Sequence, residues 1–407
     1  MAASLTVEIS PSEPQEPYDV TGRPIHFFHR EVGNEDISKL IKMETGTTEA
    51  ETDEEGVAKK PTRKIRPANR DCVIPRKLAA QIPVGEHGAL ALCFNKNGDI
   101  LAAAVQVGND YTIQFFETTN FRKIRTIRAH VDLIYELNFS EDDSYLVSAS
   151  ADGMVKVWDA LGESKIPIVA LAHARSVYTA AFHPRQKKLV VTGGQDGVIR
   201  MWSIQNKEEP VGVMSGNIGT VNSLVFSPDG KFLYAGDSGG VITVWNTDLE
   251  EGGVDGISRK TIAREDEIKG VPITHLSMER SNFSLLVHTQ DSMLRVFETK
   301  VMVPSQRYAG AVCQKYLMKS VLSPDCQYIL AGSEDGRAYV WTVRKGDTVP
   351  VPEWSFVFDA PVTAVAWNRV ENMVAFSSFG DGQPIIVFND PSNPAPADDS
   401  DSDRDQY

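Results

Sequence analysis

The 407 residues carry 41 lysines and arginines against 55 aspartates and glutamates, a formal net charge of −14 at neutral pH. That balance argues against a nucleic-acid partner, whose phosphates are bound mainly through basic stripes and counterion release. No apolar run approaches the roughly 20 residues that cross a bilayer, and no basic-then-apolar leader opens the chain, so neither a membrane span nor secretion is expected.

Residues 1–70 show no internal repeat. Their acidic, Thr/Glu-rich stretch METGTTEAETDEEG cannot bury a core, so this extension is expected to be mostly disordered. Within it, PYDVTGRPIHFFHREV is richer in aromatics and either packs on the folded part or serves as a short linear motif for a partner. The spacing of His26 and His29 resembles a ligand pair, but no cysteine or carboxylate partners lie nearby, and no metal or cofactor is expected. Cys72, Cys93, Cys313 and Cys326 share no CxxC spacing and read as buried thiols of a reducing compartment. The basic runs Lys59–Arg70 and Phe121–His130 read as solvated faces.

From residue 71 to residue 390 one unit is copied. Asp152-Gly153 stands before Trp158, Asp196-Gly197 before Trp202 and Asp335-Gly336 before Trp341, each between alternating apolar runs. Asp-Gly in that setting signals a tight hairpin, because glycine accepts the positive φ the turn requires. Weaker copies extend the series, whose closing aromatics fall at Phe116, Trp158, Trp202, Trp245, Phe297, Trp341 and Phe388, spaced by 42, 44, 43, 52, 44 and 47 residues. An earlier strand in most copies ends at Phe94, Phe139, Phe182, Phe226, Leu322 or Trp367. The period suits one four-stranded blade per copy. The predicted fold is all-β, a single seven-bladed WD-repeat β-propeller, with Ile74–Gly85 supplying the outer strand of the last blade. The acidic tail, residues 391–407, reads as disordered, and Ser400 and Ser402 sit in a context suited to an acidophilic kinase, with an unmodified solubilising tail as the default.

The second copy matches the hydrogen-bonded tetrad of WD repeats: His130 opening an inner strand, Ser148 on the next, Asp152 in the turn and Trp158 closing the third. The third copy offers His173, Thr192, Asp196 and Trp202. A His–Ser–Asp set also suggests a hydrolase, but its recurrence with a tryptophan and the lack of a nucleophile-elbow sequence favour a structural role. The fourth copy has Asn217, Ala235 and Gly239 at these positions, the fifth has Val287 and Phe297, and the sixth keeps Asp335 and Trp341 but has Ala331 for the hydroxyl.

The strings CVIPRKLAAQIPVGEHGALALCFNKNGDILAAAV, HVDLIYELNFSEDDSYLVSASADGMVKVW, HARSVYTAAFHPRQKKLVVTGGQDGVIRMW, VNSLVFSPDGKFLYAGDSGGVITVWNT, IKGVPITHLSMERSNFSLLVHTQDSMLRV and ENMVAFSSFGDGQPIIVF resemble the propeller of the jouberin family, irregular blades included. The likeness runs from Cys72 to Phe388. That family continues into a Src-homology-3-type domain and carries a long coiled-coil-bearing N-terminal region, neither of which is seen here. The resemblance implies a non-catalytic scaffold at the cilium base, the transition zone and basal body, acting in cilium assembly and ciliary protein trafficking, with partners from that assembly.

On the WD template, the third and fifth residues after the histidine position face the channel mouth: Leu133 and Tyr135, Ser176 and Tyr178, Thr220 and Asn222, Pro272 and Thr274, Tyr316 and Met318, Pro361 and Thr363. The set is apolar and aromatic, the composition of an interface core, and a protein-binding surface is expected to centre on Leu133, Tyr135, Tyr178, Tyr316 and Met318. The alternative is that several of them pack under loops or line the channel. An adaptor elsewhere, such as a ubiquitin-ligase substrate receptor, is a second reading, although WDAL, WSIQ, WNTD and WTVR lack the Trp-Asp-x-Arg of those receptors. No phosphate-cradling loop, zinc helix or nucleophile turn points to an enzyme.

Overall fold

The computed structural model describes residue 66 and residues 71–390, apart from 207, 218, 249–256, 264–265, 281, 345–347, 350, 352–353 and 355–356. The expectations for the N-terminal extension and for the tail, Ser400 and Ser402 among them, lie outside the described residues, Arg66 excepted.

Strand β1 (Lys77–Ile82) precedes the first blade, which is β2 (Ala89–Phe94), β3 (Ile100–Val107), β4 (Asp110–Glu117) and β5 (Lys123–His130). The second is β6 (Ile134–Phe139), β7 (Tyr145–Ser150), β8 (Met154–Asp159) and β9 (Val169–Ala172), and the third β10 (Val177–Phe182), β11 (Leu189–Gly194), β12 (Ile199–Ser203) and β13 (Gly212–Met214). Then come β14 (Val221–Phe226), β15 (Phe232–Asp237), β16 (Ile242–Asn246) and β17 (Ser258–Ala263), followed by β18 (Ile273–Met278), β19 (Ser284–Thr289), β20 (Met293–Glu298) and β21 (Val303–Ala309). The sixth blade is β22 (Ser320–Leu322), β23 (Tyr328–Gly332) and β24 (Ala338–Thr342), and the seventh is β25 (Ala364–Trp367), β26 (Met373–Ser377), β27 (Ile385–Asn389) and, from the other end of the chain, β1.

Within each blade consecutive strands pair antiparallel, as the hairpin signals require, the seventh blade adding β1 beside β27. At the turn between β7 and β8, Gly153 takes φ +77°. The matching Gly336 takes φ +80°, and a Cβ there would lie 2.1 Å from the Phe358 carbonyl oxygen, so glycine is needed on both counts. A neighbouring blade covers each side of an inner strand, most completely in β10, whose six residues are all buried. Outer strands alternate instead, as Val169 to Ala172 do.

The apolar core is divided into seven clusters, and each lies between two consecutive blades. Every closing aromatic sits one residue before the end of its third strand and joins the cluster shared with the preceding blade, Trp158 beside Ile113 and Phe115, Trp202 beside Val155 and Leu171. Closure is made by β1 on β27, with Leu78 opposite Phe388 and Ile82 opposite Ile385. It leaves β27 paired on both sides, as a ring demands. The sixth blade departs from the expected four strands. Among the described residues its outer position holds only a bridge between Trp341 and Thr348. There Trp354 is buried against Phe376 and Phe388 and donates its indole N–H to the Pro75 carbonyl at 2.8 Å.

Hydrogen-bonded clamps tie blades together. In the second copy, Trp158 Nε1–H donates to Ser148 Oγ at 2.9 Å, the hydroxyl faces His130 Nε2 at 2.7 Å, and His130 Nδ1–H donates to Asp152 at 2.9 Å. One hydroxyl thus serves as acceptor and donor at once, which fixes the histidine tautomer. His130 does not open an inner strand, however. It is the last residue of β5, the outer strand of the first blade, so the tetrad bridges two blades.

The third copy is only partly built. His173 faces Thr192 Oγ1 at 2.9 Å and Trp202 donates to the same oxygen at 3.0 Å, but His173 Nδ1 turns to the Leu171 carbonyl, 3.2 Å away. Asp196 is taken by Arg200, 2.6 Å away, a charge-assisted bond that outcompetes a neutral imidazole. The corresponding Lys156 instead reaches the Ala129 carbonyl and leaves Asp152 to His130. In the sixth copy Trp341 donates to the Ala309 carbonyl at 3.0 Å, and Asp335 accepts the Tyr339 hydroxyl at 2.7 Å. The fifth blade substitutes a buried arginine: Arg295 donates to Asp291 at 2.6 Å, to Thr289 at 2.6 Å and to Glu267 at 3.0 Å.

Two outcomes follow from these clamps. Asp152→Asn weakens a bond to a buried histidine, worth about 1.5–3 kcal/mol for a charged partner, whereas Asp196→Asn leaves His173 bonded as before. Urea denaturation should therefore show Asp152→Asn to be the more damaging, and equal losses would contradict the geometry. Burial, the largest cause in each case, holds His130, His173, His183 and His275 below the ordinary imidazole value, His173 at about 4 with Arg200 adding to the effect. Their folded pKa values are depressed, so the stability they confer as neutral rings is complete above about pH 6.5 and is lost as pH falls. His173 alone accounts for about 2 kcal/mol by pH 5. The urea midpoint should fall between pH 7 and pH 5, whereas relief of the −14 net charge would make it rise.

Candidate functional site

Each inner strand starts at one face of the ring and ends at the other. The starting face is built from the loops that lead into inner strands and from the turns between second and third strands. It carries most of the positions the sequence points to, but not in the state expected.

Tyr135 in β6 is half-buried and meets Tyr178 in β10 edge-on, with ring centroids 5.0 Å apart at 74°. Burial, first of all, then Tyr178, Asp132 and Tyr111 push the Tyr135 phenol up from its ordinary value. Tyr111 in β4 is pushed up in the same way by burial and Asp132. Tyr111 and Tyr135 therefore both lie within electrostatic reach of Asp132, and Tyr178 packs on the second of them. Leu133 is half-buried beside them, its carbonyl bonded to the Ala151 N–H at 2.8 Å, and Val131 is 82% exposed. Tyr316 is half-buried at the sixth blade, where Glu334 accepts the N–H groups of Gln314, Lys315 and Tyr316 at 2.7, 2.6 and 3.1 Å.

The other positions are structural. Met318 is fully buried, so it cannot form part of a surface. Asn222 is buried and donates to the Ile273 carbonyl at 2.8 Å, tying the fourth blade to the fifth. Thr274 is buried and donates to the His288 carbonyl at 3.2 Å, and Thr363 is buried as well. Ser176 is spent on the Ala151 carbonyl, 3.0 Å away, and Tyr178 shows only 8% of its surface. What stays accessible is the edge formed by Val131, Leu133, Tyr135 and Tyr111, with Tyr316 across the mouth.

Sequence reasoning missed Tyr111 and Val131, which fall outside the template positions, and it missed the filling of the channel. Glu136 in β6 is ion-paired to Lys319, just before β22, so a bond joins the second blade to the sixth. Burial pushes the Glu136 carboxyl up, against the pull of Lys319. His275 in β18 is held well below its ordinary value by burial and then by Lys319, and its Nδ1 accepts the Ser320 N–H at 3.4 Å. The signal was a lone glutamate inside an otherwise uncharged inner strand, IYELNF.

Burial likewise pushes up all four thiols, Cys72 and Cys313 to about 12, so none is set up as a thiolate nucleophile. Among the described residues no group of three or more His, Cys, Asp or Glu could hold a metal ion. No helix among them is long and apolar enough to cross a membrane. The geometry offers a rigid rim with an aromatic edge and a channel filled by a neutralised pair.

Comparison with known proteins agrees with this architecture. The family described as "WD domain, G-beta repeat" matches residues 121–159, 166–203, 208–246 and 313–342. Jouberin of Mus musculus is 36% identical over 324 residues, which cover 78% of this chain and 31% of that protein. Jouberin of Rattus norvegicus is 35% identical over 324 residues, with the same coverage. Autophagy-related protein 16 of Arabidopsis thaliana is 21% identical over 310 residues, 75% of this chain and 57% of its own. The chain thus spans about a third of the length of the jouberins it matches. With more than a third of its residues identical over 78% of its length, and with WD repeats matched along it, the chain is a jouberin-like WD-repeat protein.

Proposed function

We propose that this protein is a non-catalytic interaction scaffold of the cilium base, acting at the transition zone and basal body in cilium assembly and ciliary protein trafficking. The similarity to jouberin over 78% of the chain supports the setting. The observation that carries the mode of action is the aromatic edge of the first three blades, where Tyr111 and Tyr135 stand half-buried beside Leu133 and the exposed Val131. Tyrosines fixed by neighbours lose little freedom on binding and are frequent among interface anchors. Its partners are proteins of the ciliary assembly, met in the cytoplasm.

A tagged copy in the source cell should concentrate beside a basal-body marker, and a diffuse or nuclear signal would overturn the ciliary reading. Proximity labelling of that copy then identifies its neighbours. Val131→Asp combined with Tyr135→Ala should weaken capture of those neighbours by about thirtyfold, the loss of one anchor of about 2 kcal/mol. Since Tyr135 also packs on Tyr178, the thermal midpoint of the variant is measured alongside. Unchanged capture by a folded variant would remove this edge from the binding surface.

A further inference from the structure

The outer strand of a blade has a neighbour on one side only, and its other side presents bare N–H and C=O groups to solvent. Outer strands therefore carry guards against pairing with further chain, and most of those here have them. Exposed cations stand on β5 (Lys123, Arg128), on β17 (Arg259, Lys260) and on β1 (Lys77), and Pro304 and Arg307 stand on β21. Strand β13 is only three residues long. The outer strand of the second blade is the exception. From Ile168 to Ala174 the chain reads IVALAHA, with no proline and no charged residue, His173 being a neutral ring at pH 7.

The His173 N–H donates to the Gly153 carbonyl at 2.8 Å, beside the β8–β9 pair in which Ala172 stands opposite Met154. In an antiparallel ladder that bond directs Leu171 to β8 and turns the N–H and C=O groups of Ala170 and Ala172 outward. Val169 and Leu171 are buried with side chains of the third blade, while Ala170 and Ala172 are exposed. The exposed row continues through Ile168 and Ile166, 44% and 75% exposed. With Ile124 of the neighbouring β5, these are the exposed isoleucines among the described residues, so the uncharged edge lies beside an apolar shoulder.

We propose that β9 is a pairing edge for a second copy of this protein, the two β9 strands running antiparallel about a two-fold axis at Leu171. About that axis Ala170 of one copy meets Ala172 of the other, so the outward N–H groups of both strands find the outward C=O groups with none left over. Ile168 falls opposite Ala174, and Arg175, the first charge beyond the strand, falls opposite Pro167 and not opposite itself. A two-fold sets like charges close together, so the cation-bearing outer strands are closed to such pairing and β9 is open to it. One strand edge is smaller than the standard interface of about 800 Å² per partner, so the pair forms and separates with concentration. The edge lies on the outside of the ring and leaves the channel mouth free, so the pairing does not depend on the scaffold reading. Two joined copies present two aromatic edges and hold a partner with two matching sites more tightly than one copy does.

The test is sedimentation velocity of the full chain from about 1 to about 200 μM, over which the sedimentation coefficient should rise toward that of a dimer. Two charged variants, Ala170→Lys with Ala172→Lys and Ala170→Glu with Ala172→Glu, should each weaken self-association by about tenfold or more, because like charges then stand directly opposite. Their thermal midpoints should match that of the unaltered chain, since both positions are exposed. If either variant melts early, Ile166→Asp, outside the strand and 75% exposed, replaces it and should weaken the pair in the same direction. An equimolar mixture of the lysine and glutamate variants should restore the dimer, because each lysine then meets a glutamate. A monomer at every concentration would overturn the proposal. So would a dimer that the charged variants leave intact, or a mixture that stays monomeric.

Discussion

No blade of this protein owns a core. Each apolar cluster is assembled from the facing sides of two consecutive sheets, so a sheet is stable only when both neighbours are in place, and the series ends only by meeting its own beginning. The pairing of β1 with β27 is the constraint on which the rest depends. It covers the strand that a linear array would leave open and completes the cluster between the seventh and first blades, where Ile82 and Val84 join Phe94 and Phe116.

Given that constraint, the polar clamps can vary. The position four residues after the turn acid decides which clamp forms. Lys156 turns away from Asp152 and leaves a complete tetrad, Arg200 captures Asp196 and breaks one, and Arg295 builds a buried network of its own. Tyr339 occupies Asp335 in the blade where Ala331 offers no hydroxyl. Burial of the closing aromatic is common to all seven blades, and the hydrogen bonds adapt around it. This is what a ring held by shared apolar faces allows.

The fold was legible because its period reports contacts that are local in sequence. The aromatics from Phe116 to Phe388 all fall one place before a strand end, and the inner strands stop at Phe94, Phe139, Phe182 and Phe226 as the apolar pattern indicates. Partner choice was not legible in that way. His130 belongs to the blade before the one its motif marks, and Asp196 goes to a cation that the motif does not contain. Met318, Asn222, Thr274 and Thr363 look exposed on a template but are covered once neighbouring blades pack, and the Glu136–Lys319 pair exists only when the second and sixth blades face each other across a closed channel. Pattern encodes what each strand does within its sheet, while competition between side chains and contacts across the ring emerge only from the assembled whole.

Because the outer strand of the seventh blade comes from the front of the chain, the two halves of that sheet are made at different times. Lys77 leaves the ribosome long before Asn389, its partner in the register. At translation rates of about 5–20 residues per second, β1 waits about 15–60 s for the strand it will join. Through that interval the first blade and the most recently made one each present an uncovered apolar side, and the nascent chain is an open ladder that other strands could extend. The last strand of the ring therefore acts as a quality gate. A chain that stalls before β27 remains a sticky intermediate for chaperones and proteases, and only one that has made β27 can hide the edges of its ring.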